Sequence, residues 1–291
     1  MIISVVGPTG VGKTKMSIAL AKKFNAEVIG SDSMQVYKEM NIGTAKITEK
    51  EKEGIKHHLI DIKNVNEEYS VYDYQKDARK VLDNLIKNKK NVVIVGGTGL
   101  YLKALLYDYK FEEIKERKDF SLYTNKELYD MVKKIDSNSK IHINNRQRLE
   151  SFLNNHSKLN TKSDCKLLYE DVLIIGLTRP RKELYDVIDN RVDEMIKNGL
   201  IYEAKKLYDD NIRTRAISTA FGYKELYEYF DGNLTLEEAI SLIKKRSRNY
   251  AKRQYTWFNN QMNVKWFDID NNDFNNTVNE VINYVKNELK P

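Results

Sequence analysis

Short β-branched runs alternate with amphipathic stretches over the first hundred residues of the chain. The runs at 2–6 and 91–95 are almost continuously apolar, which is typical of parallel strands buried on both faces. Between them, Ser70-x-x-Asp73 is a variant of the capping box and predicts the start of a helix with apolar positions at helical spacing. Strands that alternate with helices in this way predict βαβ units and a parallel sheet. Two more strands are predicted at 26–30 and 57–62.

The pattern changes at about residue 109. Residues 109–170 are charged and helical in pattern and contain no convincing strand, whereas 171–177 resume the pattern of a buried strand. We therefore predict one α/β core, formed by residues 1–108 and 171–291, that is interrupted by an all-helical insertion. In the second part of the core, the pattern predicts helices at 182–197 and 200–208, and the capping box Thr235-x-x-Glu238 predicts the start of a long helix at 236–258. A strand at 264–269 and a terminal helix follow.

The segment after the first predicted strand is a phosphate-binding loop. It reads Gly7-Pro8-Thr9-Gly10-Val11-Gly12-Lys13-Thr14. The loop lies between a predicted strand and a predicted helix, which is the context in which this pattern binds a polyphosphate. Backbone N–H groups and the helix N-terminus would surround the phosphates, Lys13 adds a positive charge, and the Thr14 hydroxyl suits Mg²⁺. The predicted fold is a P-loop NTPase-like parallel sheet flanked by helices, but ATP, GTP and other diphosphate esters all fit the loop.

Two further strand ends carry polar groups. Asp32 follows the strand at 26–30, and a Gly-Gly-Thr-Gly turn at 96–99 follows the strand at 91–95. Ligands of open α/β sheets bind beyond the carboxyl ends of the strands, so we expect both groups to share one crevice with the phosphate loop. Asp32 is then a general base or a magnesium ligand, unless it only caps the next helix. The glycines permit a close backbone approach, and Thr98 either binds a phosphate oxygen or only forms a turn.

The predicted helix segment at 241–260 is strongly basic. It contains six cationic side chains and no acidic one, namely Lys244, Lys245, Arg246, Arg248, Lys252 and Arg253. Uncompensated charges of this kind attract a phosphate backbone, so this helix either contacts RNA or presents an ordinary solvated face. The interleaved Tyr250, Tyr255 and Trp257 would either stack on bases or anchor the helix on the core. The whole chain is also basic, with 49 Lys and Arg residues against 42 Asp and Glu residues and a net charge of +7.

The remaining features of the sequence concern disulfides, targeting segments, membrane spans and further candidate site residues. The single cysteine, Cys165, excludes an internal disulfide, and because the phosphate loop begins at residue 7 we expect no signal peptide before it. No apolar run approaches the roughly 20 residues of a spanning helix, so we expect a soluble, cytoplasmic protein with no membrane partner. His57 and His58 have no third ligand nearby and are interpreted as packing or surface residues. Candidates for a lid over the phosphates are Lys115, Arg117 and Lys118.

Taken together, these motifs resemble the bacterial tRNA dimethylallyltransferases, also called tRNA isopentenyltransferases. The resemblance extends over nearly the whole chain, and its most specific segments are Asp-Ser-Met-Gln-Val-Tyr at 32–37 and Ala-Lys-Arg-Gln at 251–254. Further matching segments are Asn-Ile-Gly-Thr-Ala-Lys at 41–46, His-His-Leu-Ile-Asp at 57–61, Asn-Arg-Val-Asp at 190–193 and Gly-Tyr-Lys-Glu at 222–225.

The resemblance implies that a dimethylallyl group passes from dimethylallyl diphosphate to N6 of the adenosine immediately 3′ to the anticodon of tRNA. The phosphate loop would then hold the diphosphate of the donor, with Mg²⁺ at Thr14. By the family pattern, Asp32 takes the N6 proton, while Thr98 and Arg191 help to hold the diphosphate. The helical insertion resembles the family's tRNA-binding lid, and we expect the protein to act as a monomer.

The resemblance also implies which residues contact tRNA. They are Asp32, Ser33, Met34 and Gln35 around the adenine, Gln147 and Arg148 in the insertion, and Lys252 and Arg253 in the basic helix. One departure from the family concerns the insertion. Ser151 stands where the family has a further arginine, and Glu150 adds a negative charge beside it, so the family's tRNA contacts in this segment carry over only to Gln147 and Arg148.

Two other functions agree with part of the sequence. A P-loop kinase for a small molecule or nucleotide would explain the loop and the parallel sheet, although that argument rests on the fold alone. An RNA-binding NTPase switch would explain the loop and the basic helix. The basic helix disfavours the kinase, and the sequence has no Asn-Lys-x-Asp motif that would indicate guanine binding.

Overall fold

The computed structural model describes residues 1–111, 118–155 and 166–288, except for the side chains of Gln147 and Asn155. Lys115, Arg117, Cys165 and the Gln147 side chain, all considered above, therefore lie outside the described residues. The chain divides into two compact units. The larger unit comprises Met1–Leu106 and Tyr169–Pro291, and the smaller unit comprises Tyr107–Leu168.

A six-stranded sheet forms the centre of the larger unit. The strands are β1 (Ile2–Val6), β2 (Ala26–Gly30), β3 (His57–His58), β4 (Asn91–Val95), β5 (Val172–Thr178) and β6 (Lys265–Asp268). They lie in the order β3-β2-β4-β1-β5-β6, and each neighbouring pair is parallel. The predicted α/β fold with a parallel sheet is confirmed, and β1, β2 and β4 are central or near-central strands whose carboxyl ends lie side by side.

The strand predicted at 57–62 is too long. Strand β3 ends at His58, because Leu59 and Asp61 adopt left-handed backbone angles, with φ of 62° and 56°. An extended strand cannot continue through such residues. The segment that follows instead pairs locally with the loop after β2, where Ile62 N–H and Lys63 N–H both donate to the Val36 carbonyl.

Among the described residues, twelve helices accompany the strands. They are α1 (Lys13–Phe24), α2 (Glu49–Lys52), α3 (Val71–Lys87), α4 (Gly99–Leu106), α5 (Asn125–Ile135), α6 (Arg146–Asn155), α7 (Arg181–Lys197), α8 (Leu200–Asp209), α9 (Arg215–Thr219), α10 (Tyr223–Phe230), α11 (Leu236–Gln261) and α12 (Phe274–Glu288). The capping boxes predicted at Ser70 and Thr235 are both present and begin α3 and α11. The sequence patterns did not predict α2, α9 and α10, because four to eight residues give too little periodicity to recognise a helix.

Two groups of buried side chains position the strand ends. The first packs α1 and α12 against the sheet through Met16, Leu20, Val281 and Val285. The second packs the loop after β2 against α8 and α10, and its fully buried members include Val36, Met40, Leu200, Tyr223 and Leu226. The loop that contains Asp32 is therefore anchored on helices from the second half of the chain.

The smaller unit has its own apolar cluster. Its helices α5 and α6 pack around Phe120, Leu128, Val132 and Leu149. Its two ends meet at an antiparallel bridge between Tyr107 and Leu167. Among the described residues of the whole chain, no helix combines the length and apolar character needed to span a membrane.

Candidate active site

The phosphate loop connects β1 to α1 and requires glycine at particular positions. Gly7, Gly10 and Gly12 all have positive φ, and a Cβ atom on Gly7 would lie 2.4 Å from the Leu177 carbonyl oxygen. A side chain on Gly12 would collide with the Phe274 ring at 2.7 Å. The first turn of α1 contains no acidic side chain, so its backbone N–H groups and partial positive charge remain suited to a bound anion.

Lys13 lies in the interior of this loop. Its Nζ donates to the Pro8 carbonyl oxygen at 2.7 Å. The pKa of Lys13 is lowered to about 7, mainly by burial and in addition by the positive charge of Arg191, whereas the negative charge of Asp32 acts in the opposite direction. The three charged side chains thus interact with one another, although Asp32 lies in the loop after β2 and the two cations lie on α1 and α7.

Asp32 follows β2 and uses only part of its carboxylate locally. Its Oδ1 accepts hydrogen bonds from Met34 N–H at 2.9 Å and from Gln35 N–H at 3.3 Å. No helix begins directly after Asp32, so the capping role that we considered for it applies to a turn and not to a helix. Within the described residues Oδ2 has no hydrogen-bond partner, so this oxygen remains able to accept a proton from a substrate.

The turn at 96–99 packs tightly against the segment that carries Asp32. A Cβ atom on Gly96 would lie 2.0 Å from the Ser31 carbonyl oxygen, so only glycine fits here. Thr98 N–H donates to that same carbonyl at 3.2 Å, and the Thr98 hydroxyl oxygen accepts from Ser33 N–H at 3.1 Å. The turn thus has both predicted properties, a tight turn geometry and a close backbone approach.

Arg191 reaches the phosphate loop from α7. Its Nη1 donates to the Thr9 hydroxyl oxygen at 3.1 Å. Burial lowers the pKa of Arg191, while the charges of Asp32 and Glu51 oppose that shift. Because a guanidinium group stays protonated in proteins, Arg191 supplies a permanent positive charge beside the loop.

Two residues of α11 also belong to this site, and sequence reasoning did not assign them there. Gln254 is 5% exposed and contacts both the phosphate loop and the turn at 96–99. Burial raises the pKa of the Tyr250 hydroxyl to about 12, and the charge of Asp32 adds to this shift. Gln254 is a polar residue in the apolar stripe formed by Ile243, Ala251 and Phe258, a signal that was present in the sequence.

The prediction that the basic segment of α11 is uncompensated is wrong. Three of its cations form ion pairs with acidic residues of α7 and α10, at 2.5–2.6 Å: Lys244 with Asp193, Arg246 with Glu225, and Arg248 with Asp189. These partners lie 21 to 59 residues away in the sequence, so a local count of charges missed them. Lys252 and Arg253 are exposed and lie outside these pairs.

The aromatic residues of α11 mostly anchor the helix. Trp257 packs so closely on Gly99 that a Cβ atom there would lie 2.1 Å from its ring. Tyr255 lies on Trp266 with a ring separation of 4.8 Å. Of the two alternatives considered for these side chains, anchoring therefore describes Trp257 and Tyr255.

The segment predicted to receive the adenine is held by its own loop. The Gln35 side-chain amide donates to the carbonyl oxygens of Thr44 and Ala45 at 3.1 and 3.3 Å. The neighbouring N–H groups of Asn41, Ile42 and Gly43 donate to the Glu203 carboxylate of α8. These contacts give the segment at 41–46 a structural role, since it supports Gln35 beside Asp32.

Thr14 is the residue suited to Mg²⁺. Its side chain is exposed at the start of α1, and within the described residues its hydroxyl has no hydrogen-bond partner. The described residues contain no cluster of three or more His, Cys, Asp or Glu side chains that would hold a metal. A single hydroxyl fits Mg²⁺ only when phosphate oxygens complete the coordination, as in other phosphate-loop sites. His57 and His58 are engaged elsewhere, with the Ile55 carbonyl and the Glu27 carboxylate.

The residues expected to contact tRNA are distributed over both units. Arg148 is exposed on α6 of the smaller unit, and Glu150 forms an ion pair with Arg146 at 2.6 Å. The negative charge that distinguishes this segment from the family is therefore balanced within α6. Lys118, the one described member of the proposed lid residues, is exposed, and its N–H donates to the Asn154 side chain.

Known proteins resemble this chain over its whole length. The family model described as IPP transferase matches residues 35–261. The tRNA dimethylallyltransferase of Anoxybacillus flavithermus is 47% identical, over 99% of this chain and 97% of that protein. The tRNA dimethylallyltransferase of Halalkalibacterium halodurans is 44% identical, over 99% of this chain and 98% of that protein.

Solved structures show the same similarity. The crystal structure of full-length tRNA isopentenylpyrophosphate transferase from Bacillus halodurans has a TM-score of 0.79 and 44% identity, and the match covers 99% of this chain and 96% of the other. A eukaryotic dimethylallyltransferase, described as acting on tRNA, has a TM-score of 0.83 and 28% identity, over 99% of this chain and 78% of the other.

We expect Lys13 to take up a proton when the protein binds inorganic diphosphate. With its pKa of about 7, the amine is mostly neutral at pH 8, and the negative charge of diphosphate favours the ammonium form. Titration calorimetry at pH 8, in two buffers of different ionisation enthalpy, measures this uptake. The wild-type protein should take up about half a proton or more beyond the Lys13→Met variant.

The same difference should shrink at pH 6, because Lys13 is then already mostly protonated in the free protein. Lys15→Met removes an exposed lysine of the same helix and serves as the matched control, with proton uptake equal to that of the wild type. Identical uptake by the wild type and Lys13→Met at pH 8 would refute the assigned role of Lys13.

Proposed function

The chain belongs to the IPP transferase family, and from this we propose that it transfers a dimethylallyl group to tRNA. The donor is dimethylallyl diphosphate, and the acceptor is N6 of the adenosine immediately 3′ to the anticodon. A bond forms between N6 and C1 of the donor while the bond from C1 to the ester oxygen breaks, and diphosphate leaves.

One observation carries this proposal: a carboxylate with one uncommitted oxygen lies beside a phosphate site. Asp32 interacts electrostatically with Lys13 and Arg191, and its Oδ2 accepts no hydrogen bond from the described residues. An adenine N6 is a poor nucleophile, because its lone pair is delocalised into the ring. In our proposal Asp32 takes the N6 proton as the new C–N bond forms, which is general base catalysis.

The departing diphosphate is stabilised by groups that are already in place. The proposed set comprises the N–H groups of the phosphate loop, Lys13, Arg191 and the Thr98 hydroxyl. Preorganised donors of this kind lower the barrier because they need no rearrangement as negative charge develops on the leaving oxygen. When bound, Mg²⁺ at Thr14 would neutralise further diphosphate charge.

Recognition of tRNA is proposed to use exposed cations and the loop after β2. Lys252 and Arg253 are exposed and can approach a phosphate backbone, as can Arg148 of the smaller unit. The adenine must leave the base stack to reach the donor, and it would be received beside Ser33, Met34 and Gln35. We also propose that the protein acts as a monomer, as the resemblance to the family implies.

Transfer to tRNA is tested directly with labelled dimethylallyl diphosphate, Mg²⁺ and unmodified tRNA. We expect one labelled adenosine per tRNA, identified by nucleoside mass spectrometry. A transcript with guanosine in place of the adenosine 3′ to the anticodon is the control and should remain unlabelled. Absence of label from every tRNA that carries this adenosine would overturn the proposal, and ATP-dependent phosphorylation of a small molecule would favour a kinase.

Replacing Asp32 with asparagine should abolish most turnover and leave the loop intact. The asparagine oxygen can still accept from Met34 N–H and Gln35 N–H, whereas the amide cannot take the N6 proton. We expect kcat to fall by about 10²–10⁴-fold with little change in the Kd for tRNA.

The Asp32→Ala variant should lose turnover as well, and it should also be less stable because it loses the hydrogen bonds of the turn. Asp268→Asn, at an exposed position on β6, is the control for removing one negative charge. A wild-type kcat in Asp32→Asn would exclude Asp32 as the base.

Substituting Lys252 and Arg253 together with glutamine should weaken tRNA binding in a salt-dependent manner. Each lost phosphate contact lowers the slope of log Kd against log salt concentration by about 0.7–0.9, so we expect a decrease of about 1–2 for the pair. Lys244→Gln is the matched control, because Asp193 already balances that cation. An unchanged slope in the double variant would show that this face of α11 does not contact tRNA.

A further inference from the structure

Gln254 is a buried polar side chain that the proposed reaction does not use. It lies on the inner face of α11 and is 5% exposed. Thr9 N–H donates to its Oε1 at 2.9 Å, and its Nε2 donates to the Gly97 carbonyl oxygen at 3.0 Å. The side chain therefore connects the phosphate loop with the turn at 96–99.

The two connected segments begin next to each other and then separate. Strands β1 and β4 pair in parallel as far as Val5 and Val95, and Gly96 N–H still reaches the Val5 carbonyl at 3.4 Å. Beyond this point, no direct hydrogen bond between the phosphate loop and the turn occurs among the described residues. Where the hydrogen bonds between the two strands end, the Gln254 side chain connects the two segments.

Only a side chain with one acceptor and one donor at this distance satisfies both segments. The partner on one side is a backbone N–H group and on the other a backbone carbonyl, so the orientation of the amide is fixed by its surroundings. Methionine has nearly the same length but forms neither bond. Glutamate keeps the acceptor for Thr9 and loses the donor for Gly97.

The contact also determines which residue can occupy position 97. A Cβ atom on Gly97 would lie 2.2 Å from Nε2 of Gln254, so the glycine is required by this side chain. On the other side of the amide, Thr9 accepts a hydrogen bond from Arg191 through its hydroxyl. A displacement of Gln254 would therefore move the neighbours of both Thr98 and Arg191.

Tyr250 reinforces this arrangement from one helical turn earlier. Its buried hydroxyl lies near the Thr98 and Gln254 side chains. The same face of α11 thus reaches the turn at 96–99 through two residues at positions i and i+4, a spacing that places both side chains on one face of the helix.

We propose that Gln254 is a positioning residue that sets the spacing between the phosphate loop and the turn bearing Thr98, and so places Arg191 and the Thr98 hydroxyl around the diphosphate. This inference rests on the proposed function. Gln254 acts through Thr9 and Gly97 and contacts neither reactant, so its effect should appear in diphosphate binding and turnover while tRNA binding is retained.

The test compares Gln254→Met with the wild-type protein in three measurements. We expect the Kd for inorganic diphosphate with Mg²⁺ to rise by about tenfold, and the KM for dimethylallyl diphosphate to rise in parallel. The kcat for transfer should also fall by about tenfold or more, while the Kd for tRNA stays within about twofold of the wild type. Gln261→Met, which affects an exposed glutamine of the same helix that contacts Lys103, is the matched control and should change none of these values.

A second variant keeps the inference testable if Gln254→Met fails to fold. Gln254→Glu keeps the bond to Thr9 and loses the one to Gly97, so it should retain tRNA binding and lose at least tenfold in kcat. A purely structural role would lower the fraction of active protein and leave KM and the diphosphate Kd of the remainder unchanged, and this result would overturn the inference. Wild-type values of kcat, KM and the diphosphate Kd in both variants would also overturn the inference.

The diphosphate titration separates this inference from the proposed function. If the wild-type protein binds diphosphate but transfers no prenyl group to tRNA, the proposed function fails, and the shift in diphosphate Kd still tests Gln254. If the wild type transfers normally and Gln254→Met binds diphosphate as the wild type does, the inference fails and the proposed function stands.

Discussion

The active site depends on how closely the turn after β4 approaches the backbone after β2. The absence of a side chain at Gly96 allows this contact, since a Cβ atom would lie 2.0 Å from the Ser31 carbonyl oxygen. Once the two segments touch, Thr98 N–H donates to Ser31 and Ser33 N–H donates to the Thr98 hydroxyl. Asp32 lies between these two anchored residues, so its carboxylate is held by backbone contacts on both sides as well as by its own turn.

This position of Asp32 also sets the charge balance of the site. Burial works against the charged forms of both Lys13 and Arg191, and the Asp32 carboxylate favours them. Because Lys13 loses its proton near neutral pH, the site carries little excess positive charge of its own. In the proposed reaction, the bound diphosphate would supply the negative charge that restores the ammonium form of Lys13, so that Lys13 is positively charged when the leaving group develops its charge.

Local patterns in the sequence predicted much of this arrangement. The phosphate loop, the strand ends and both capping boxes depend on residues that are close in sequence. The parallel orientation of the strands follows from the alternation of strands and helices. Contacts between distant residues escaped such patterns. Gln254 reaches Thr9 across 245 residues, and the acids that balance α11 belong to other helices. Strand β3 ends early because Leu59 and Asp61 adopt left-handed conformations. Tertiary contacts select these conformations, and the local sequence does not predict them.

In the proposed function, helix α11 takes part in both tRNA recognition and catalysis, because successive residues of a helix face different directions. Lys252 and Arg253 are exposed, whereas the next residue, Gln254, is buried against both loops of the site. The helix is fixed along its length by ion pairs to α7 and α10 and by the close contact of Trp257 with Gly99. In the proposed function, a rigid helix with these two faces would hold a phosphate backbone on its outer side at a set distance from the diphosphate site on its inner side. The basic residues would then act on the position of the tRNA as much as on its affinity, and the acids that pair with half of them keep the helix in place.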